Sequence, residues 1–250
     1  MRFLVLNCQH GQRHQSIIDF FHAHIRLVDV FILQEVSDKI RLFLETQWLI
    51  LKGQWELWFA SVATVEITLT DGMFFDTIDK DAGQRHGFLV GTCRIADKIY
   101  QLVNCHLSAY LYHSTRKAEI HHLIQKIKQT GSTILCGDFN TIRRDEIGKI
   151  NTFLQKIGLI NKSKHITSTY NIGRIESPRG SSHSARRQHL FLYYLKYFVS
   201  RFEFKLDHIF ASADLDISCQ RIRSYVSDHY PLIGKIEEKL GITTLQSKED

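Results

Sequence analysis

Asn7, Glu35, His106, Asp138, Asn140, Asp207, Asp228 and His229 share a placement, each standing at the polar end of an apolar run. Val5-Leu6 ends in Asn7, Val30 to Gln34 in Glu35, Leu102 to Cys105 in His106, and Thr133 to Gly137 in Asp138-Phe139-Asn140. Lys205-Leu206 precedes Asp207-His208, and Ser227-Asp228-His229 precedes Pro231-Leu232-Ile233. Carboxylates and amide oxygens suit hard divalent cations, and imidazoles exchange protons near neutral pH. Singly, each residue has a plain structural reading. Glu35 caps a turn, an Asp-His pair makes a surface hydrogen bond, His106 is a satisfied and partly buried imidazole, and Asp and Asn favour the turns that follow strands. Asp138 and Asn140, two residues apart, point the same way if the strand continues. The whole ordered set is harder to dismiss, and the edge of one sandwich of sheets can gather it.

The elements that must do the gathering read as short buried strands at 2–7, 29–34, 64–70, 87–95, 99–105, 133–137, 205–211, 216–223 and 231–237. Helical spacing marks Ile17, Ile18, Phe21 and Ile25, then Ile120, Leu123, Ile124 and Ile127, then Ile147, Ile150, Phe153, Leu154 and Ile157. Gly158 is placed to stop the third helix. Many short strands with interleaved helices predict an α/β fold of two sheets packed face to face, helices outside. With only two prolines and no low-complexity linker, the chain reads as one domain over 1–250, ending in a flexible tail from about 239.

Composition agrees with a globular protein: 44% hydrophobic, 23% charged and 11% aromatic residues exclude disorder, collagen and coiled coil. The net charge is +6. Nine basic against two acidic residues between 161 and 205 give a local excess of seven, which leaves the rest of the chain near −1. Such a segment faces phosphate-rich material or is a solvated basic loop. Five cysteines without metal-ligand spacing read as buried reduced thiols, and the absence of a leader or a long apolar span predicts a cytoplasmic protein with no transmembrane segment.

Taken in order, Asn7, Gln34-Glu35, Asn104-Cys105-His106-Leu107, Gly137-Asp138-Phe139-Asn140, Leu206-Asp207-His208-Ile209-Phe210 and Ser227-Asp228-His229-Tyr230-Pro231-Leu232 resemble the endonuclease/exonuclease/phosphatase superfamily, the fold of pancreatic deoxyribonuclease. Gly-Asp-Phe-Asn followed by Ser-Asp-His-x-Pro-Leu is specific to it. The resemblance implies a four-layered α/β sandwich with two mostly antiparallel mixed sheets, and divalent-metal-dependent cleavage of a phosphate ester. An enzyme attacking a phosphodiester must neutralise charge, aim a water and assist the departing oxygen. By resemblance Glu35 is the principal ligand of Mg²⁺ or Mn²⁺, with Asn7 beside it and Asp228 completing or supporting the shell. His229 sits at the scissile phosphate as general base or charged donor, and Asp207 orients it. Asp138 orients or deprotonates the attacking water, Asn140 holds that water or a phosphoryl oxygen, and His106 lies near the leaving group.

Some features depart from the pattern. Lys205-Leu206-Asp207-His208 stands where inositol polyphosphate phosphatases carry Trp-Cys-Asp-Arg, which disfavours that branch, and Asn7-Cys8-Gln9-His10-Gly11 matches the family's opening loop only loosely. The acidic stretch 71–86, with Asp71, Asp76, Asp79 and Asp81, reads as a lid or a solvated turn. The basic segment offers Arg174, Arg179, Arg186 and Arg187 to phosphates, with Tyr170, Phe191 and Tyr193 to stack on unpaired bases. The same mixture, around Leu190 to Leu195, suits a phospholipid headgroup layer, core packing or a dimer contact. The leading expectation is a metal-dependent nuclease acting on DNA or RNA. Its rivals are a phospholipid or sphingomyelin phosphodiesterase, a phosphomonoesterase, and a silent binding protein that keeps the fold.

Overall fold

Continuous apolar runs such as Phe3-Leu4-Val5-Leu6 and Val30 to Leu33 cannot face water on either side, so they form strands covered on both faces. The computed structural model describes residues 1–47, 49–75, 86–108, 113–127, 131–171 and 203–237. In chain order the strands are β1 (Arg2–Asn7), β2 (Val30–Gln34), β3 (Ile50–Gln54), β4 (Leu57–Ser61), β5 (Val65–Phe75), β6 (His86–Ile95), β7 (Lys98–His106), β8 (Ser132–Asp138), β9 (Leu159–Asn161), β10 (Tyr170–Asn171), β11 (Glu203–Phe204), β12 (Asp207–Ser212), β13 (Ile217–Arg221) and β14 (Leu232–Ile236). The helices are α1 (His14–His24), α2 (Asp38–Thr46), α3 (His113–Lys126) and α4 (Arg144–Gln155), with a 3-10 turn at Gln9–Gly11.

Two six-stranded sheets result, ordered β13-β14-β1-β2-β4-β3 and β5-β6-β7-β8-β12-β9. Each has a parallel pair at its middle, β1 with β2 and β7 with β8, among antiparallel neighbours. Parallel neighbours end at the same edge of a sheet, so Asn7 lies opposite Gln34 and His106 opposite Asp138. The antiparallel neighbours reach that edge with their beginnings: Asp207 opens β12 opposite Asp138, and β14 starts with Leu232 opposite Val5, just after Asp228 and His229.

Alternation of side chains sorts the apolar residues into three seams. Phe3, Val5, Ile32 and Phe59 meet Leu89, Leu102, Ile134 and Ile209 between the sheets. Leu4, Leu6, Phe31 and Leu33 turn the other way, onto Ile17 and Phe21 of α1 and Ile40 and Leu44 of α2. On the far side, Val90, Val103, Leu135 and Phe210 pack on Ile120 and Leu123 of α3 and Ile150 and Leu154 of α4. The architecture is a four-layered α/β sandwich. A polar tie crosses the central seam beside the site: Gln34 Nε2 donates to Asn104 Oδ1 at 2.7 Å, and Asn104 Nδ2 donates to Leu33 O at 2.9 Å.

Several elements differ from the sequence-based expectation. Residues 71–75 continue β5 past a bulge between Leu69 and Asp71, and Asp71 pairs with Lys126 at 2.9 Å, so this part of the acidic stretch is a strand and not a turn. Asp76, Asp79 and Asp81 lie outside the described residues. A fourth helix, α2, starts at Ser37, whose Oγ accepts from Ile40 N. It buries only Ile40 and Leu44, too few for a clear period. The edge strand β3 is half exposed along its length, and β9 to β11 are two or three residues long, which leaves little pattern to read. Most of the basic segment, including Arg174, Arg179, Arg186 and Arg187 and the run 190–195, lies outside the described residues, as does the tail from 238. All five cysteines are buried and unpaired. Among the described residues no helix is long and apolar enough to cross a membrane.

Candidate active site

The shared edge of the two sheets gathers Asn7 and Glu35 from the first and His106, Asp138 and Asp207 from the second, and Asp228 and His229 close it from the segment before β14. Asn7 Nδ2 lies 3.0 Å from Glu35 Oε1 and 3.1 Å from Asp138 Oδ2, bridging the sheets. His106 Nε2 lies 3.6 Å from the same Glu35 oxygen and 3.7 Å from the same Asp138 oxygen. From the other side His229 Nε2 reaches Asp138 Oδ2 at 3.7 Å, while its Nδ1 hydrogen-bonds Asp207 Oδ2 at 2.8 Å.

Local backbone features explain how these positions are reached. Gly137 has φ +139°, and a β-carbon there would fall 1.9 Å from Cys105 O, so only glycine lets β8 run this close to β7 just before Asp138. Four of the six described non-glycine residues with positive φ are at the site: Gln9, His10, Glu35 and Asn140. Each costs on the order of 1 kcal/mol or more, a strain that persists where surrounding contacts dictate it. Gln9 N–H donates to Asn7 Oδ1 at 2.9 Å, and Gln9 Nε2 to Asp228 Oδ2 at 3.0 Å. Asn140 N–H holds Asp138 Oδ1 at 2.8 Å, while its Nδ2 is tied to Leu107 O at 2.7 Å. Ser227 Oγ donates to Asn7 O at 2.8 Å and accepts from His229 N at 3.2 Å. Thr169 Oγ1 accepts from both Leu206 N and Asp207 N at 2.9 Å, fixing the start of β12.

Electrostatics separate the groups. Burial pushes Asp138 up to about 7, against the pull of His229 and with the help of Asp207 and Glu35. Asp228 is raised chiefly by burial as well. Burial would also raise Glu35, but His10, His106, the Asn7 hydrogen bond and His229 together outweigh it and bring Glu35 down to about 2. Burial, then the neighbouring His86, push His106 down to about 3. His229 goes the other way: burial disfavours its charge, yet Asp207 and Asp138 hold it well above an ordinary imidazole.

Glu35, Asp138, Asp207 and Asp228 thus lie in one cluster, and among the described residues no Lys or Arg pairs with any of them; only imidazoles do. Such a set of hard oxygen donors, countered only by imidazoles, fits a divalent cation. Asp138, Asp207 and His229 offer ligand atoms all within 4.8 Å of one another. The Asp207–His229 contact, however, has the length of a hydrogen bond and occupies Nδ1, so that pair is engaged with itself, while Glu35 and Asp138 meet across the Asn7 amide. Asn7 turns its amine toward both carboxylates and gives its oxygen to Gln9, so ligation through that oxygen requires the amide to turn over.

Sequence reasoning did not single out Gln9, His10, Glu56, His86 or Thr169. His10 Nε2 lies 3.1 Å from Glu35 Oε2, and the buried His86 ring stands 4.7 Å from that of His106. Tyr170, taken from sequence as a base-stacking aromatic, packs edge-on against His229 at 4.9 Å. The one available signal for His10 was its position three residues after Asn7. His208, adjacent to Asp207, faces away from the site onto Phe139, with ring centroids 5.4 Å apart.

Residues 4–229 match the model of the Endonuclease/Exonuclease/phosphatase family. No curated protein matches the chain. Among solved structures, an endonuclease/exonuclease/phosphatase from Bacteroides vulgatus is 18% identical with a TM-score of 0.68, covering 95% of this chain and 98% of that one. TDP2 of D. rerio, complexed with single-strand DNA product, is 13% identical with a TM-score of 0.65, covering 95% and 99%. Truncated Caenorhabditis elegans TDP2 is 14% identical with a TM-score of 0.65, covering 94% and 96%.

Proposed function

Given that this chain belongs to the Endonuclease/Exonuclease/phosphatase family, whose members are metal-dependent phosphoric ester hydrolases, we propose that it is a nuclease that hydrolyses phosphodiester bonds of DNA or RNA with Mg²⁺ or Mn²⁺. The observation that carries this reading is the meeting of Glu35, Asp138 and the Asp207–His229 pair in one cluster of side chains. Support for a nucleic-acid substrate comes from the basic segment and from a structural neighbour bound to single-strand DNA product.

Glu35, supported by Asp228, would hold a divalent cation, which would supply neutralisation of phosphate charge and polarisation of the ester. The remaining work falls to the chain's own groups. Asp138, poised near neutrality, takes the proton of the attacking water at Oδ2, while Asn140 N–H keeps its other oxygen fixed. His229 stays protonated, because Asp207 accepts from Nδ1, and its Nε2–H donates to a phosphoryl oxygen as negative charge builds. A charged donor role for His229 therefore fits better than a base role. His106 remains neutral and presents Nε2 from the opposite side, toward the leaving group.

The test is cleavage of a panel of metal-supplemented substrates: duplex and single-stranded DNA, RNA, sphingomyelin and phosphoinositides. Nucleic-acid cleavage should collapse in Glu35→Ala and His229→Ala while folding persists, and binding should weaken steeply with added salt. Unchanged cleavage in both variants would remove the mechanism. Headgroup release without nucleic-acid cleavage would move the assignment to lipids.

A further inference from the structure

His10 approaches Glu35 where their side chains are 24% and 12% exposed. Its Nε2 stands 3.1 Å from Glu35 Oε2, and its other nitrogen, Nδ1, stands 3.5 Å from Glu56 Oε1. Nε2 is thus the ring nitrogen beside a Glu35 oxygen, so a cation held at that oxygen would meet it, with Glu56 behind the ring. Adjacent ligands of an octahedral ion with bonds of about 2.1 Å lie about 3.0 Å apart, close to the separation found here. A carboxylate behind a histidine whose far nitrogen binds metal is also a recurring way to fix the ring and raise its basicity.

The backbone is built to deliver this ring. Gln9 and His10 both adopt left-handed conformations, with φ of 48° and 50°. The turn is held by Gln9 N on Asn7 Oδ1, Gln9 Nε2 on Asp228 Oδ2 and Gly11 N on Cys8 O. Glu56 comes from the tip between β3 and β4 and is anchored by Val36 N on Glu56 O at 3.2 Å, one residue beyond Glu35. The ring and its orienting carboxylate thus arrive from different elements and converge on the same ligand.

We propose that His10 supplies a nitrogen ligand to the cation held by Glu35, oriented by Glu56, and that the site consequently selects Mn²⁺ over Mg²⁺. This rests on the metal-dependent reading above and narrows it. An imidazole nitrogen strengthens binding of first-row transition ions, whereas Mg²⁺ prefers oxygen and retains its waters.

The test is titration of the full chain with Mn²⁺ and with Mg²⁺ by calorimetry, joined to pulsed electron paramagnetic resonance of bound Mn²⁺, which detects coupling to a coordinated nitrogen. The wild type should bind Mn²⁺ at least about tenfold more tightly than Mg²⁺ and show the coupling. His10→Gln should abolish the coupling and weaken Mn²⁺ about tenfold while moving Mg²⁺ less than about twofold; His106→Gln should keep the coupling. Circular dichroism checks folding, and His10→Ala gives a second reading of the same position. Mn²⁺ bound without nitrogen coupling in the wild type, or with coupling that survives loss of His10, overturns the proposal. Failure to bind either ion at millimolar concentration would instead remove the metal-dependent reading itself.

Discussion

Two imidazoles flank Asp138 Oδ2, each with Nε2 3.7 Å from it, and they are tuned in opposite directions. Both are buried, so burial alone would strip the charge from each. Behind His229 stands Asp207, 2.8 Å from Nδ1, and this imidazole keeps its proton. Behind His106 no hydrogen-bond partner meets Nδ1 among the described residues, and burial, then the imidazole of His86, keep this ring unprotonated down to about pH 3. What lies behind the ring, and not its distance to Asp138, divides the two into a charged imidazole and a neutral one.

The largest break in this comparison should come from His229→Ala, which removes the charged donor and should cost about three to four orders of magnitude in kcat/KM on a metal-supplemented oligonucleotide. Asp207→Asn converts the His229 corner toward the His106 condition. We expect a loss of about a hundredfold, with the alkaline limb of the pH–rate profile shifted to lower pH, since an imidazole without its carboxylate gives up its proton sooner. In the wild type, the stability contributed by the raised His229 value is present below about pH 6.5 and is lost as pH rises through the folded-state value. An unshifted limb in Asp207→Asn would show that another group sets it.

Glu35, the residue that would hold a cation, stands beside His106. Saturating Mn²⁺, at about a hundred times its Kd, should stabilise the fold by about 2.7 kcal/mol in thermal melts, and Glu35→Gln should abolish this gain. The smallest effect is expected for His106→Gln, about tenfold in rate. That variant has a sharper signature in stability. Because the folded chain refuses a proton at His106 that the unfolded chain accepts, wild-type stability falls as pH drops from about 6.5 toward 3. Melting temperatures at pH 4.5 and 7.5 should differ less in the variant than in the wild type.

The legible part of the site consisted of polar residues that end apolar strands. Glu35, His106 and Asp138 are each the first polar group able to act after a buried run, and the sheet edge that unites them follows from which strands are parallel. The Asp207–His229 pairing was legible only through resemblance, because residues 22 positions apart meet by way of β12 and the segment before β14. His10 and Gln9 were not legible, since their placement depends on left-handed backbone that two non-glycine residues do not announce. His86 opens β6 but fell in the stretch 71–86 that the sequence reading took for a lid or a solvated turn. Glu56 sits in a hairpin whose edge strand carries too little apolar alternation to be read.

The pairing of β12 with β8 sets Asp207 against Asp138 and turns its neighbour His208 into the helical layer. Side chains alternate along a strand, so sliding β12 by a single residue would exchange the two, aiming an imidazole at His229 and leaving a carboxylate stranded among Phe139 and Phe210. Loss or gain of one residue between 203 and 206 is therefore a more drastic event than its surface location suggests: it would silence the enzyme through misthreading, without removing a single reactive group.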